Sequence, residues 1–535
     1  MSATPVAEQP AWLQALAAAL SEALPRLHAT SPDPLVGELI EALAAALAEG
    51  QLETSVPTPE HRRALEASPL SAEPHGPLAL EGDRLLWRRW QRQRESVLQA
   101  LIARAQRRLD PPAEPSGEAC TVAESNGLDG DQQRAVAAVL QHGLVLLEGG
   151  PGTGKTSTVA RMLAAVRARQ PGSRIHLAAP TGKAAARLRA ALAHAALQLP
   201  CSTLHRLLES RGGRFGRNRH HPLALDLLVV DEVSMVDLPL MEALLDALPA
   251  SCRLVLVGDA GQLPPVGPGP VLLDLQAPER RQALGPAAIT LRTTYRNNGT
   301  IAAVAAALRD GGQPLEPLLA DLLEPLAADA NLTWIQAGAR TLPAALLERL
   351  RRHQQRLEQL CRQSDPDDPA AAITLLAALD ACLVLTPLRR GRWGVEAIHQ
   401  ALLGEAAGRS PQHWPLGTPV LCRHNLTELG LANGDVGLVV ERPGVTSGER
   451  RLLFNTPGSP QPLLIHPAQL PEAEPALALT VHKAQGSEAD EVWVLMPDTG
   501  RPQQRLLYTA ITRARRQAQL ITPLRAAASG ASLTG

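Results

Sequence analysis

Lysine, tyrosine and phenylalanine are nearly missing from this chain of 535 residues. Lysine stands only at Lys155, Lys183 and Lys483, although Lys and Arg together number 52. Tyrosine occurs twice, at Tyr295 and Tyr508. Where arginine has replaced almost every lysine, a surviving lysine marks a place that needs a compact ammonium on a flexible stem. No apolar run reaches the roughly 18 residues of a membrane-spanning helix, so none is expected. Met1–Pro10 has no Lys or Arg and no apolar stretch, so a secretion signal is not expected either. The six cysteines are scattered without a C-x-x-C pair, which speaks against a disulfide framework or a zinc site and fits the reducing cytoplasm. The net charge of −1 excludes a basic tail as the main device for holding nucleic acid. A narrow basic track remains compatible with it.

The length allows about three to five domains. In the N-terminal part, Leu35, Val36, Leu39, Ile40, Leu43 and Leu47 form one apolar stripe at helical spacing. A second helix is predicted over about Asp83–Arg108, with Trp87, Trp90 and many arginines; it could serve a partner or pack on its own domain. Asp110–Gly127, rich in Pro, Gly and Ser, reads as a domain boundary. From Leu128 onward short apolar runs alternate with helical stretches: LVLLE, IHLAA, LLVVD and RLVLVGD, then CLVLTPLR, LALTV, EVWVLMP and AQLITP. Such alternation predicts parallel sheets covered on both faces. A Leu- and Arg-rich helix is predicted over about 340–362, and the short strand-like runs between Thr418 and Pro475 read as a small β insertion. The tail AAASGASLTG is expected to be disordered.

Gly149–Thr156 reads GGPGTGKT, the G-x-x-x-x-G-K-[ST] pattern, between a predicted strand and a predicted helix. Glycines let backbone N–H groups wrap a phosphate, and the following helix N-terminus adds positive potential. Gly149, Gly150, Pro151, Gly152, Thr153 and Gly154 are therefore candidates for the cradle. Lys155 would reach the β- and γ-phosphates of ATP, and Thr156 would offer its hydroxyl to Mg²⁺. In LLVVDEVSMVD (227–237) a buried strand ends in Asp231, placed to hold Mg²⁺, and Glu232, placed to polarise the attacking water. To this point the chain reads as a nucleotide hydrolase whose work is unspecified.

Further motifs, in order, resemble those of the superfamily 1 DNA helicases and, within them, the RecD family, the alpha subunits of exodeoxyribonuclease V. They are LDGDQQRAV, APTGKAAARL, STLHRLL, GDAGQLPPVGPG, LRTTYRNN, LTVHKAQGSEADEV and LLYTAITRAR. All three lysines and both tyrosines fall inside these motifs or the phosphate loop. The resemblance implies two RecA-like P-loop motor domains, over 116–315 and 371–535, with ATP between them. A helical connector would fill 316–370, a small SH3-like β insertion about 418–475, and a helical N-terminal partner-interaction domain 1–115. It implies Gln132 as the adenine reader, Gln262 as a γ-phosphate sensor, and Arg296 and Arg513 as arginine fingers. Thr181, Lys183, Thr203, His205, Thr480 and His482 would line the track for single-stranded DNA. The one departure is Gly261, where related sequences carry an acidic residue. The N-terminal segment 77–105 resembles that of RecD, which implies RecB-like and RecC-like subunits as partners, a nuclease centre on a partner, 5′→3′ polarity and a role in recombinational repair of double-strand breaks. A stand-alone RecD-like helicase without nuclease partners, and a catalytically silent subunit, are the alternatives.

Overall fold

The computed structural model describes residues 11–48, 50–72, 74–109, 127–193, 197–295, 299–310, 317, 319, 331–442, 449–455, 461–497 and 504–524. Its centre is a six-stranded parallel sheet. Across the sheet the strands run Ala288–Leu291, Leu144–Gly149, Arg253–Gly258, Leu227–Val230, Ile175–Ala179 and Cys201–Thr203. The four inner strands are mostly apolar because both faces are covered. Along Leu144–Gly149, Leu144 and Leu146 enter one core while Val145 and Leu147 enter the other. Leu254 and Leu256, against Val255 and Val257, divide in the same way.

A second parallel sheet, of five strands, orders Leu332–Ala337, Ala514–Pro523, Ala489–Leu495, Cys382–Thr386 and Leu479–Thr480. Val492 and Val494 point to one core, Trp493 and Leu495 to the other. Between its strands Cys382–Thr386 and Leu479–Thr480 the chain leaves to build an antiparallel five-stranded sheet, from Pro419–Leu421 to Glu474–Pro475. Leu438, Val440 and Leu453 press one face of it onto Leu357, Cys361 and Leu375 of the helices Ala344–Gln363 and Pro369–Ala378. Gly437 has to be glycine there: a Cβ would meet the Leu453 carbonyl oxygen at 2.5 Å and the Phe454 ring at 2.7 Å.

The N-terminal part departs from the expectation of an all-helical domain. Helices Ala11–Leu27, Pro34–Ala48 and Pro59–Ala67 are joined by a three-stranded antiparallel sheet of Glu53–Ser55, Leu78–Glu81 and Arg84–Trp87. The helix predicted from Asp83 begins only at Arg88 and runs to Gln106. Its first residues form a hairpin instead, because Gly82, at φ 59°, takes the left-handed turn that glycine permits and the arms bury Leu78, Leu85 and Leu86. Helix Arg88–Gln106 is part of the first α/β unit. Val97, Leu98, Leu101 and Ala105 lie in its core, and Arg104 donates to the carbonyls of Leu248, Pro249 and Cys252 at 2.8, 3.2 and 3.1 Å. Of the two uses open to this arginine-rich helix, packing within the chain therefore applies to this face, against the first α/β unit. The expected boundary lies outside the described residues except for Gly127, and so does the tail from Arg525.

Candidate functional site

The buried strand Leu144–Gly149 delivers the chain to the phosphate loop, and the helix Lys155–Arg169 leaves it. Gly152 and Gly154 adopt φ of 74° and 81°, the left-handed region in which glycine carries no Cβ penalty. Thr153 ties the loop by donating its hydroxyl to the Gly150 carbonyl at 2.9 Å. Lys155 Nζ donates to the carbonyls of Gly149 and Gly150 at 2.7 and 2.9 Å. The ammonium is thus held over the loop, and Pro151 and Thr156 are both half-buried beside it.

Gln132 is buried in the first turn of helix Gly130–Gln141, in a reciprocal cap with Asp129. Its side-chain amide lies so near Gly154 that a Cβ there would meet Nε2 at 2.9 Å. Tyr295 flanks the same spot. Its N–H donates to the Gly152 carbonyl at 2.8 Å, its hydroxyl donates to Asp129 Oδ2 at 2.8 Å, and its ring is exposed. Gln132 and Tyr295 together make an amide and an aromatic face at the rim of the loop.

Asp231 and Glu232 are buried at the end of strand Leu227–Val230. Burial and the adjacent Glu232 carboxylate push Asp231 up from the usual carboxylate range. Glu232 sits at φ 52°, uncommon for a side chain with a Cβ, and its carboxylate accepts from Arg187 Nη2 at 3.0 Å. Gln262 is buried as well, and its Oε1 has no hydrogen-bond partner among the described residues. A buried acceptor without a donor suits a site completed by a ligand or water.

The second α/β unit closes on this site. Leu263 N donates to Thr509 Oγ1 at 2.9 Å, and Gln485 Nε2 donates to the Leu263 carbonyl at 3.2 Å. Tyr508, almost fully buried, donates to Asp259 Oδ2 at 2.5 Å and accepts from Arg309 Nη2 at 2.7 Å. Burial and the Asp259 charge push the phenol upward, so the proton stays on it. Gly261 lies against this ring: a Cβ there would stand 3.1 Å from it, so the missing side chain leaves room for the phenol. Arg309, from helix Thr300–Asp310, lies over the phosphate loop where a Cβ on Gly150 would collide with its guanidinium. Arg513, just past helix Gln504–Ile511, is buried and turned back on that helix, Nε donating to the Thr509 carbonyl at 3.0 Å. Arg296 lies outside the described residues.

The DNA-track candidates fall into three groups. Thr181 and Lys183, at the start of helix Gly182–Ala193, face the second unit. Lys183 Nζ donates to Ser487 Oγ at 3.1 Å, and a Cβ on Gly486 would meet Thr181 Oγ1 at 3.1 Å. Burial lowers the Lys183 ammonium, against the pull of Asp435 and Asp380, so this lysine belongs to the inter-unit contact. Thr203 caps a short helix by accepting from Arg206 N at 3.2 Å, and His205 beside it is exposed. Thr480 accepts from Lys483 N at 3.4 Å, with His482 exposed between them. Arg187, Asp259, Tyr295, Arg309 and Tyr508 were not among the sequence-derived site residues. The rarity of tyrosine marked two of them; Arg187 and Asp259 lie inside the motifs APTGKAAARL and GDAGQLPPVGPG without being singled out there, and nothing in so arginine-rich a sequence distinguishes Arg309.

Residues 132–268 match the AAA domain family, and residues 475–521 match the UvrD-like helicase C-terminal domain. The chain is 37% identical over 489 residues to the RecBCD enzyme subunit RecD of Mycolicibacterium smegmatis, covering 86% of this chain and 81% of that one. It is 36% identical over 519 residues to the RecBCD enzyme subunit RecD of Mycobacterium tuberculosis, with 90% and 84% covered. To the ATP-dependent RecD2 DNA helicase of Deinococcus radiodurans it is 32% identical over 440 residues, 78% of this chain but 52% of that one. Among solved structures, Bacteroides Pif1 bound to ssDNA aligns with a TM-score of 0.42 at 18% identity, covering 74% of this chain and 92% of that one.

Proposed function

This chain belongs to the RecD family and is an ATP-dependent DNA helicase, and we propose that it works as the 5′→3′ motor of a RecBCD-type complex in recombinational repair of double-strand breaks. The observation that carries the reading is the phosphate loop Gly149–Thr156 on one α/β unit, faced by Arg309 and by the Tyr508–Asp259 pair that joins it to the other. A nucleotide bound between the two units converts its own binding and hydrolysis into their relative movement.

In this reading Gly149, Gly150, Pro151, Gly152, Thr153 and Gly154 cradle the phosphates of ATP, and Lys155 leaves its carbonyl partners for the β- and γ-phosphates. Gln132 reads the adenine edge, with Tyr295 stacked on its face. Thr156 and Asp231 would hold Mg²⁺, which neutralises charge on the phosphates when bound. Glu232 accepts a proton from the attacking water, and Gln262 donates from its amide Nε2 to the γ-phosphate while its unpartnered Oε1 accepts from that water. Arg296 and Arg513 supply transition-state charge, Arg513 by leaving the Thr509 carbonyl as the units close. Single-stranded DNA runs past Thr181, Thr203, His205, Thr480 and His482, with Lys183 setting the contact beneath it.

We keep the two RecA-like units at 116–315 and 371–535, extending the first back to take in helix Arg88–Gln106 and the second to take in strand Leu332–Ala337, so that the expected N-terminal domain 1–115 and helical connector 316–370 each give up one element, and we assign an SH3-like role to the β insertion at 418–475. The partners in this reading are RecB-like and RecC-like subunits, one of them carrying the nuclease centre. Unwinding of duplexes with 5′ or 3′ single-stranded tails tests polarity: a preference for 3′ tails contradicts it. Affinity purification from the source cell tests assembly. A chain that elutes alone, at monomer size and fully active, would favour the stand-alone reading.

A further inference from the structure

The carboxylate assigned to the attacking water is not free in this structure. Arg187, on helix Gly182–Ala193 of the first unit, donates from Nη2 to Glu232 Oε1 at 3.0 Å. Its other terminal nitrogen, Nη1, lies 3.0 Å from Glu488 Oε1 of the second unit. One planar guanidinium therefore bridges the two units, by a hydrogen bond on the Glu232 side and by an ion pair without hydrogen-bond alignment on the Glu488 side. Glu488 is itself held in the second unit by Arg515, whose Nε lies 3.5 Å from Oε2, and Arg515 reaches Asp380 at 3.1 Å. The acids around Arg187 are thus Glu232, Asp231 and Glu488, and they outweigh the burial that opposes its charge.

The neighbours of this bridge give it a meaning. Glu488 directly follows Gly486 and Ser487, which touch Thr181 and Lys183. The segment that holds one arm of Arg187 is therefore the segment against which the proposed DNA track is built. A shift of the second unit on DNA or nucleotide binding moves Glu488, and with it the partner that competes with Glu232 for Arg187.

We propose that Arg187 is a positioning residue that couples strand occupancy to hydrolysis: it occupies Glu232 Oε1 in the DNA-free chain and is drawn away by Glu488 when the units rearrange on single-stranded DNA. This rests on the assignment of Glu232 to the attacking water. While Arg187 holds Oε1, the carboxylate is turned toward the guanidinium and one of its acceptor sites is taken, so it is not free to align on the attacking water. Released, it is. Futile hydrolysis without DNA is thereby restrained by one ion pair whose other end reads the second unit.

The test measures ATP turnover of the full chain with and without oligo-dT. Arg187→Met should raise the DNA-independent kcat by about fivefold or more, the low end of ordinary coupling energies, and shrink the stimulation by DNA in proportion. KM for ATP should stay within about twofold, because the phosphate cradle is untouched. Glu488→Gln should lower the DNA-stimulated kcat, and the double variant should behave as Arg187→Met. A rise in basal turnover is not what a merely damaged fold produces. Equal loss of basal and stimulated rates in Arg187→Met overturns the coupling. If that variant does not fold, an unchanged stimulation ratio in Glu488→Gln overturns it instead. Glu232→Gln separates the two layers: wild-type turnover there removes the assignment of Glu232, whereas an inert Glu232→Gln beside an unchanged ratio in Arg187→Met removes the coupling alone.

Discussion

Tyr295 stands with its ring exposed beside Gln132 and Gly154, while its hydroxyl and its N–H are anchored to Asp129 and to the phosphate loop. An anchored ring with an open face is suited to stacking a base, a contact worth about 1–3 kcal/mol. Tyr295→Ala should therefore raise KM for ATP by about tenfold and change kcat little, since stacking is the same in the ground and transition states. Steady-state kinetics over ATP concentration checks this, and a fall in kcat at constant KM would move Tyr295 away from the nucleotide. Arg513 behaves differently in this account. Its guanidinium is parked on the Thr509 carbonyl. Arg513→Ala should keep ATP binding and lose turnover by about 10³-fold or more, as finger arginines do. Lost binding with preserved turnover at saturation would remove it from that role. Composition marked Lys155 and both tyrosines because their types are scarce. It was silent on Arg187 and Arg309, whose type is the default cation of this chain, and only packing shows that they reach the phosphate loop and the acidic strand end.

The inner strands of both parallel sheets were legible as elements, since strands covered on both faces are mostly apolar, whereas Cys201–Thr203, Ala288–Leu291 and Leu332–Ala337, at the sheet edges and only partly buried, were not. Nor was the hairpin at 78–87. Its arms are four residues each, and the arginine-rich helix that follows dominates the pattern. That helix shows what tertiary contact adds. Leu101 is fully buried in the core of the first unit, though it precedes the expected domain boundary. Leu101→Ala should destabilise that unit by about 2–5 kcal/mol, and a urea midpoint indistinguishable from wild type would place the helix outside the core. Helix Ala344–Gln363 gives a prediction in pH. His353 on it is buried, and burial with nearby Arg349 pushes its pKa down to about 4. The unfolded chain then takes up a proton, near the ordinary 6.5, that the folded chain refuses, so stability is retained above that value and lost as pH falls toward 4. Moving from about pH 7 to about pH 5 should cost about 2 kcal/mol through this group. His353→Leu should lose correspondingly less than wild type in urea unfolding, and parallel losses in the two proteins would contradict the assignment.

At the scale of the whole molecule, the contacts between the two α/β units among the described residues include Leu263 with Thr509 and Gln485, Asp259 with Tyr508, Arg187 with Glu488, and Lys183 with Ser487. Every one of them joins a motif read from the sequence to another motif. None of the pairings themselves could be read there, because partners as far apart as Lys183 and Ser487 meet only after two separate sheets have folded. The antiparallel insertion and the connector helices brace the second unit from outside through Leu438, Val440 and Leu453. The first unit is braced by the N-terminal helix Arg88–Gln106. The central claim is that ATP turned over at Gly149–Thr156 drives the two units along DNA, and the most direct test is ATP hydrolysis by the full chain with and without single-stranded DNA, in wild type and in Lys155→Gln. Lys155→Gln nearly keeps the side-chain length and deletes the charge that reaches the phosphates. The account predicts hydrolysis stimulated by DNA in the wild type and no hydrolysis above background in a folded Lys155→Gln chain; DNA-stimulated turnover in that variant at the wild-type rate would contradict it.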